Sequence, residues 1–181
     1  MMMEECSPIY VITGGPGFGK TTLVDYLKNL GFKTGDEVAR AIINEQRRIG
    51  GDVLPEKNIR VFQRAVLNRR VAFYQSVGNN EIAFSDRGIP DQLAFARYKR
   101  FGAPDVLVQY AREFSYNKIV FVTPPWEEIY QNDATRNENF AQASELHHII
   151  VDVYEELGYS VITLPCVEVK QRAEFILNQI R

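Results

Sequence analysis

One segment restricts this chain more than any other. Gly14-Gly15-Pro16-Gly17-Phe18-Gly19-Lys20-Thr21 fits the pattern G-x-x-x-x-G-K-[ST] without a mismatch. The run before it, Pro8 to Thr13, is apolar and β-branched and predicts a buried strand. The run after it, Lys20 to Leu30, predicts a helix that Gly31 stops. A strand that turns through glycines into a helix suits one task well. Glycines let the backbone close round a phosphate with no Cβ in the way. The N–H groups from Gly17 to Thr22 and the positive end of the helix then face the same anion. Lys20 adds a point charge for the β and γ phosphates, and the Thr21 hydroxyl can ligate Mg²⁺. Gly14, Gly15, Pro16, Gly17, Phe18, Gly19, Lys20, Thr21 and Thr22 are therefore the candidate nucleotide site. The bland alternative is a glycine-rich turn before a helix, with Lys20 merely exposed.

Beyond this loop, short β-rich runs alternate with longer helical ones. Phe32 to Thr34, Glu81 to Ser85, Lys118 to Thr123 and Tyr159 to Leu164 predict four more strands. Helices are predicted over Val38 to Arg48, Asn58 to Val77, Pro90 to Arg100, Pro104 to Phe114, Ala143 to Leu157 and Val167 to Ile180. Ile59, Phe62, Val66, Phe73 and Val77 recur at helical spacing, as do Leu146, Ile149, Ile150, Val153 and Leu157. The alternation predicts an α/β fold, a parallel sheet with helices on both faces. With 181 residues, no repeat and no linker, the expectation is a single domain over 1–181.

Composition narrows the function classes. A 45% hydrophobic share excludes wholesale disorder. No run of about 18 apolar residues predicts a membrane span. A net charge of -2 gives no general reason to bind nucleic acid. The basic pairs Arg47-Arg48 and Arg69-Arg70 read as solvated helix faces. Met1 to Pro8 holds Glu4 and Glu5 and no basic leader, so a cytoplasmic location is expected. Cys6 and Cys166 stand far apart without a CxxC and read as small, partly buried residues.

Phosphoryl chemistry also needs acids and further cations. The run Ile82-Ala83-Phe84-Ser85 delivers Asp86 at the carboxyl tip of a predicted strand, where parallel sheets bind ligands. Asp86 is thus the second candidate metal residue beside Thr21. Capping of the next helix is the other reading. Arg87 can meet a phosphate of donor or acceptor, or form an ion pair. Glu37 and Arg40 stand three apart at a helix start, so they share a face. Glu37 can take a proton from an acceptor hydroxyl and Arg40 can clamp a phosphate. Both can equally be ordinary helix-end charges. A polar segment, Asn132 to Glu138, holds Arg136 and fits a lid that brings a cation onto the transferring group. His147 and His148 point different ways and form no metal pair. Trp126 reads as a core or rim anchor.

With these residues in view, the chain resembles the P-loop proteins of an AAA-type ATPase domain family related to the nicotinamide-riboside kinase domain of NadR. It resembles the nucleoside and nucleotide kinases more broadly. The likeness rests on the phosphate loop, on Glu37-Val38-Ala39-Arg40, on Asp86-Arg87-Gly88-Ile89-Pro90-Asp91, and on Asp133 to Glu138 followed by Tyr154 to Tyr159. The resemblance implies a three-layer P-loop NTPase fold with five parallel strands in the order 2-3-1-4-5. It also implies a nucleoside triphosphate with Mg²⁺, a helical acceptor-side segment over 38–80, and a lid over 131–142. The chain departs from AAA motors in lacking their C-terminal helical domain, sensor residues and arginine finger. It has no Asn-Lys-x-Asp motif for guanine, so ATP is the expected donor, with GTP still open.

Taken together, the expected activity is Mg-dependent transfer of a phosphoryl group from ATP to a small-molecule acceptor. Lys20, Glu37, Asp86 and Arg136 are the candidate catalytic residues, and Glu37, Arg40 and Arg87 the candidate acceptor contacts. The alternative is an NTPase, or a nucleotide-dependent switch or sensor, acting on a protein partner.

Overall fold

A computed structural model describes residues 7–130 and 138–180. In chain order the elements are β1 (Ile9–Thr13), α1 (Lys20–Asn29), β2 (Lys33–Gly35), α2 (Val38–Ile49), α3 (Ile59–Ser76), β3 (Ala83–Asp86) and α4 (Ile89–Lys99). They continue with α5 (Asp105–Glu113), β4 (Ile119–Val122), a 3₁₀ turn (Glu127–Ile129), α6 (Phe140–Glu156), β5 (Ser160–Thr163) and α7 (Val169–Gln179). The five strands form a parallel sheet in the order β2-β3-β1-β4-β5, as the resemblance implied.

Alternation along the strands divides the core. Ile9, Val11, Ala83 and Val120 point to one face, where Leu67, Ile89, Leu107, Leu146, Ile150 and Tyr154 cover them. Ile12, Phe84 and Phe121 point to the other, under Leu23, Val24, Leu27, Ala173 and Ile176 of α1 and α7. A smaller cluster of Ile42, Phe62 and Val66 ties α2 to α3 beside the main core.

This topology positions the site. Ile12 of β1 lies opposite Asp86 of β3 and Phe121 of β4, so three carboxyl tips end together. The chain leaves β1 toward β2 on one side and later reaches β4 on the other. Ligands bind outside such a switch point in open α/β sheets.

Some boundaries differ from the sequence reading. β3 runs Ala83–Asp86 rather than from Glu81, because pairing begins where the Ala83 N–H donates to the Pro8 carbonyl at 3.1 Å. Helix α6 starts at Phe140, three residues earlier than expected. There Asn139 and Gln142 exchange side-chain and backbone hydrogen bonds at 2.9 Å each, a capping box that the apolar stripe does not reveal. Cys166 is exposed rather than partly buried, and Cys6 lies outside the described residues. Among the described residues, no helix is long and apolar enough to cross a membrane.

Candidate active site

The phosphate loop is held open by backbone geometry. Gly14 has φ 128, and a Cβ there would stand 2.5 Å from the Thr123 carbonyl oxygen of the neighbouring strand end. Gly19 takes φ 81 at the start of α1, and no side chain caps that helix. The first N–H groups of α1 are therefore left for a ligand. Lys20 is buried and folds back so that Nζ donates to the Gly15 carbonyl at 2.6 Å.

Phe18 contributes differently from its neighbours. Its ring is buried against Tyr130, Phe140 and His147, with centroids 5.9 to 6.3 Å away. The side chain thus anchors the loop to the aromatic cluster. His147 packs here as the sequence allowed, while His148 is exposed. Burial, helped by the charges of His148 and Lys20, pulls the His147 imidazole from 6.5 down to about 4. Between these values the unfolded chain binds a proton that the folded chain refuses. Stability is therefore expected to fall as pH drops from about 6.5 to 4, by at most about 3 kcal/mol. Thermal melts across that range check this, and His147→Phe should flatten the decline.

At the strand tips, the Thr21 hydroxyl donates to Asp86 Oδ2 at 3.2 Å, while Asp86 Oδ1 is buried without a partner. Burial raises the Asp86 carboxyl to about 6, against the pull of Lys20. Burial first, then the Arg87 charge, lowers Lys20 to about 7, against Asp86, Glu37 and Asp91. Burial disfavours both charges although each supports the other, and a triphosphate with a cation would relieve both. An orphaned carboxylate oxygen beside a threonine hydroxyl, at the mouth of a glycine cradle, fits Mg²⁺ bound with phosphates.

Arg87 and Asp91 form the rigid floor. Arg87 is buried with φ 70, a left-handed conformation that costs a non-glycine residue about 1 to 3 kcal/mol. Asp91 fixes it: Oδ1 accepts from Arg87 Nη1 at 2.9 Å and from Thr13 Oγ1 at 2.5 Å. Oδ2 accepts from the Gly88 N–H at 2.8 Å and from the Tyr154 hydroxyl at 2.6 Å. Burial alone would raise the Asp91 carboxyl; Arg87, Arg70 and these hydrogen bonds outweigh it and hold it low. The Arg87 ion pair is thus a buried one, and Asp91 rather than Asp86 closes the start of α4. The sequence signal for Asp91 was its place three residues after Gly88, where a first-turn acid bonds back to the cap.

A cavity of about 610 Å³ opens from this floor. Its wall brings together Gly17, Gly19, Lys20, Thr21 and Thr22 with Glu37, Arg40 and Arg87. Glu37 precedes α2, and Arg40 Nε lies 3.4 Å from Glu37 Oε2, so the two share a face as expected. Arg136 and most of the 131–142 segment lie outside the described residues. Glu138, just beyond, reaches the same wall.

Two arginines of the site were not anticipated. Arg70 was read with Arg69 as a solvated pair; only Arg69 is exposed, bonded to Glu45. Arg70 is buried in the cavity wall, and its spacing from Phe62 and Val66, by fours, was the available signal. Arg172 of α7 donates from Nη1 to the Gly19 carbonyl at 3.3 Å and covers the Trp126 ring at 5.7 Å. Trp126 is therefore a rim anchor. Nothing in the local sequence distinguishes Arg172.

Comparison with known proteins agrees with this architecture. No curated protein matches the sequence. Deoxyadenosine kinase from M. mycoides with bound dATP has a similar structure, with a TM-score of 0.65 at 15% identity, over 95% of this chain and 98% of that one. NadR in complex with NR gives 0.64 at 19% identity, over 96% of this chain but 50% of NadR. Shikimate kinase from Acinetobacter baumannii in complex with shikimate gives 0.54 at 16%, over 97% of this chain and 94% of that one. At such identities these likenesses establish a shared P-loop kinase-like fold. A family profile described as an AAA domain matches residues 9–172, nearly the whole chain, and the chain accordingly belongs to that family, AAA_28, of P-loop nucleotide-binding proteins.

Proposed function

We propose that this chain is a phosphotransferase that moves the γ-phosphoryl group of ATP to a small-molecule acceptor. The observation that carries the reading is the single cavity joining the phosphate loop to Glu37, Arg40 and Arg87. A switch that only hydrolyses nucleotide needs no walled space of ligand size beside the γ-phosphate position. The structures at similar fold include kinases acting on nucleosides and on shikimate, which agrees with a small acceptor.

In this reading residues 1–181 work as one domain, with 38–80 as the acceptor side and 131–142 as a lid. Gly14 to Thr22 cradle the triphosphate through backbone N–H groups. Thr21 and Asp86 would hold Mg²⁺, which when bound would offset the negative charge of the phosphates. Lys20 swings from the Gly15 carbonyl to the phosphates. Arg87, locked by Asp91, orients the acceptor, and Arg40 steadies it beside Glu37. Glu37 takes the proton of an acceptor hydroxyl as that oxygen bonds to the γ-phosphorus and the bond to the β,γ-bridging oxygen breaks, releasing ADP. Arg136, closing from the lid, meets the charge on the transferred group.

Incubation with Mg-ATP labelled at the γ position, across nucleosides, nucleotides and vitamin-like alcohols, tests this directly. Acceptor-dependent label transfer faster than an acceptor-free control is the expected result. Phosphate release that no acceptor changes would overturn it. Glu37→Gln is expected to lower kcat about a hundredfold while nucleotide affinity stays within about twofold. Equal losses in both, measured by steady-state kinetics and calorimetry, would remove Glu37 from the base role.

A further inference from the structure

One charge in the cavity wall has no task in this scheme. Arg70 is 4% exposed, and its Nε and Nη1 have no hydrogen-bond partner. No carboxylate stands at ion-pair distance from it among the described residues. The other cavity guanidiniums differ: Arg87 is seated on Asp91 and Arg40 lies beside Glu37. Groups that share its wall or feel its charge are not bonded to it: Gln92 Oε1 is itself buried without a partner, and the other groups are engaged elsewhere. Gln92 Nε2 donates to Gln63 at its carbonyl (2.9 Å) and its side-chain oxygen (2.7 Å). The Tyr154 hydroxyl donates to Asp91, and the Tyr116 oxygen accepts from the Ile89 N–H at 3.2 Å. Asp91 feels both Arg87 and Arg70, but it is bonded to only the first.

A guanidinium keeps its proton, so burial without a counter-charge is strongly unfavourable. Phe62, Val66 and Phe95 line the same wall, and apolar neighbours strengthen any charge interaction made there. A cation held in this way is complementary to an anion arriving with the ligand.

We propose that Arg70 anchors an anionic oxygen group of the acceptor, a phosphate monoester or a carboxylate, so that the acceptor is an anion rather than a neutral nucleoside. The inference rests on the phosphotransferase reading above and narrows its substrate class. Arg70 is a binding and specificity residue here, remote from the bond that forms.

Matched acceptors test it. Nucleosides are compared with their 5′-monophosphates, and hydroxycarboxylic acids with their methyl esters, in the γ-label assay with wild type, Arg70→Gln and Arg70→Lys. The anionic member of one series should be the better substrate by at least about tenfold, and the series that responds tells phosphate from carboxylate. Arg70→Gln should lower kcat/KM for that anion about a hundredfold and for its neutral partner less than about threefold, with Arg70→Lys between. Mg-ATP affinity by calorimetry should not change. If the neutral members are preferred, or Arg70→Gln acts alike on both, the anion site falls while phosphoryl transfer stands. If no acceptor takes label, yet a nucleoside monophosphate or hydroxy acid raises the melting temperature of wild type and not of Arg70→Gln, transfer falls and the anion site stands. Neither label nor melting shift overturns both. Should Arg70→Gln not fold, the wild-type preference within each pair decides alone.

Discussion

Lys20→Ala is expected to abolish turnover, lowering kcat at least about a thousandfold, a loss of about 4 kcal/mol in transition-state stabilisation. Lys20 is buried at the loop, and among the described residues its one hydrogen bond is to the Gly15 carbonyl, which it can exchange for an arriving phosphate. The variant should fold at least as well as wild type. Burial depresses Lys20 to about 7, so below pH 10.5 the unfolded chain holds a proton that the folded chain resists. Removing that group takes away a source of instability at neutral pH. A triphosphate would restore the ammonium form, so nucleotide binding at pH 8 should draw a proton from solution. Calorimetry in buffers of different ionisation enthalpy measures that uptake, and Lys20→Ala should lose it. Wild-type turnover by the variant would place the chemistry elsewhere.

Asp91→Ala carries the largest expected loss of stability, about 3 to 5 kcal/mol, because it strands the buried Arg87 charge. For a chain of this size that lowers the melting temperature by roughly 10 °C. The Thr13, Gly88 and Tyr154 donors lose their acceptor in the same step. Adding Arg87→Met should recover part of the stability, since the stranded charge goes too, without restoring activity. A double-mutant cycle on denaturant midpoints gives the coupling. The pH sign follows from the depressed carboxyl. Its stabilisation is present above the unfolded value near 3.8 and is lost as pH falls through the lower folded value. A melting temperature within a degree of wild type would mean that Arg87 finds its counter-charge elsewhere.

Much of this candidate site is legible in the sequence alone. Gly14 to Thr22 form a contiguous signal, because a phosphate nest is built from successive N–H groups of one turn. Asp86 was legible because a strand's apolar run reports its own carboxyl end. Glu37 and Arg40 share a helix face by spacing alone. The same local logic failed for Arg69-Arg70, where one residue of a basic pair is solvated and the other buried. It failed for Phe18, whose ring turns into an aromatic cluster supplied by Tyr130, Phe140 and His147. It failed for Arg172, which reaches Gly19 from 153 residues away.

By itself, then, the sequence determined the alternation of strands and helices, the phosphate loop and the acid at the tip of β3. Each is set by periodicity, turn chemistry or neighbours within a few residues. Tertiary structure decided the strand order, the lock of Asp91 on Thr13, Arg87 and Tyr154, and the burial of Arg70 with Nε and Nη1 unbonded among the described residues. Those depend on which elements meet, and the worth of a charge depends on what surrounds it after they have met. A cation reads the same on any exposed helix; only packing makes it costly enough to require an answering anion.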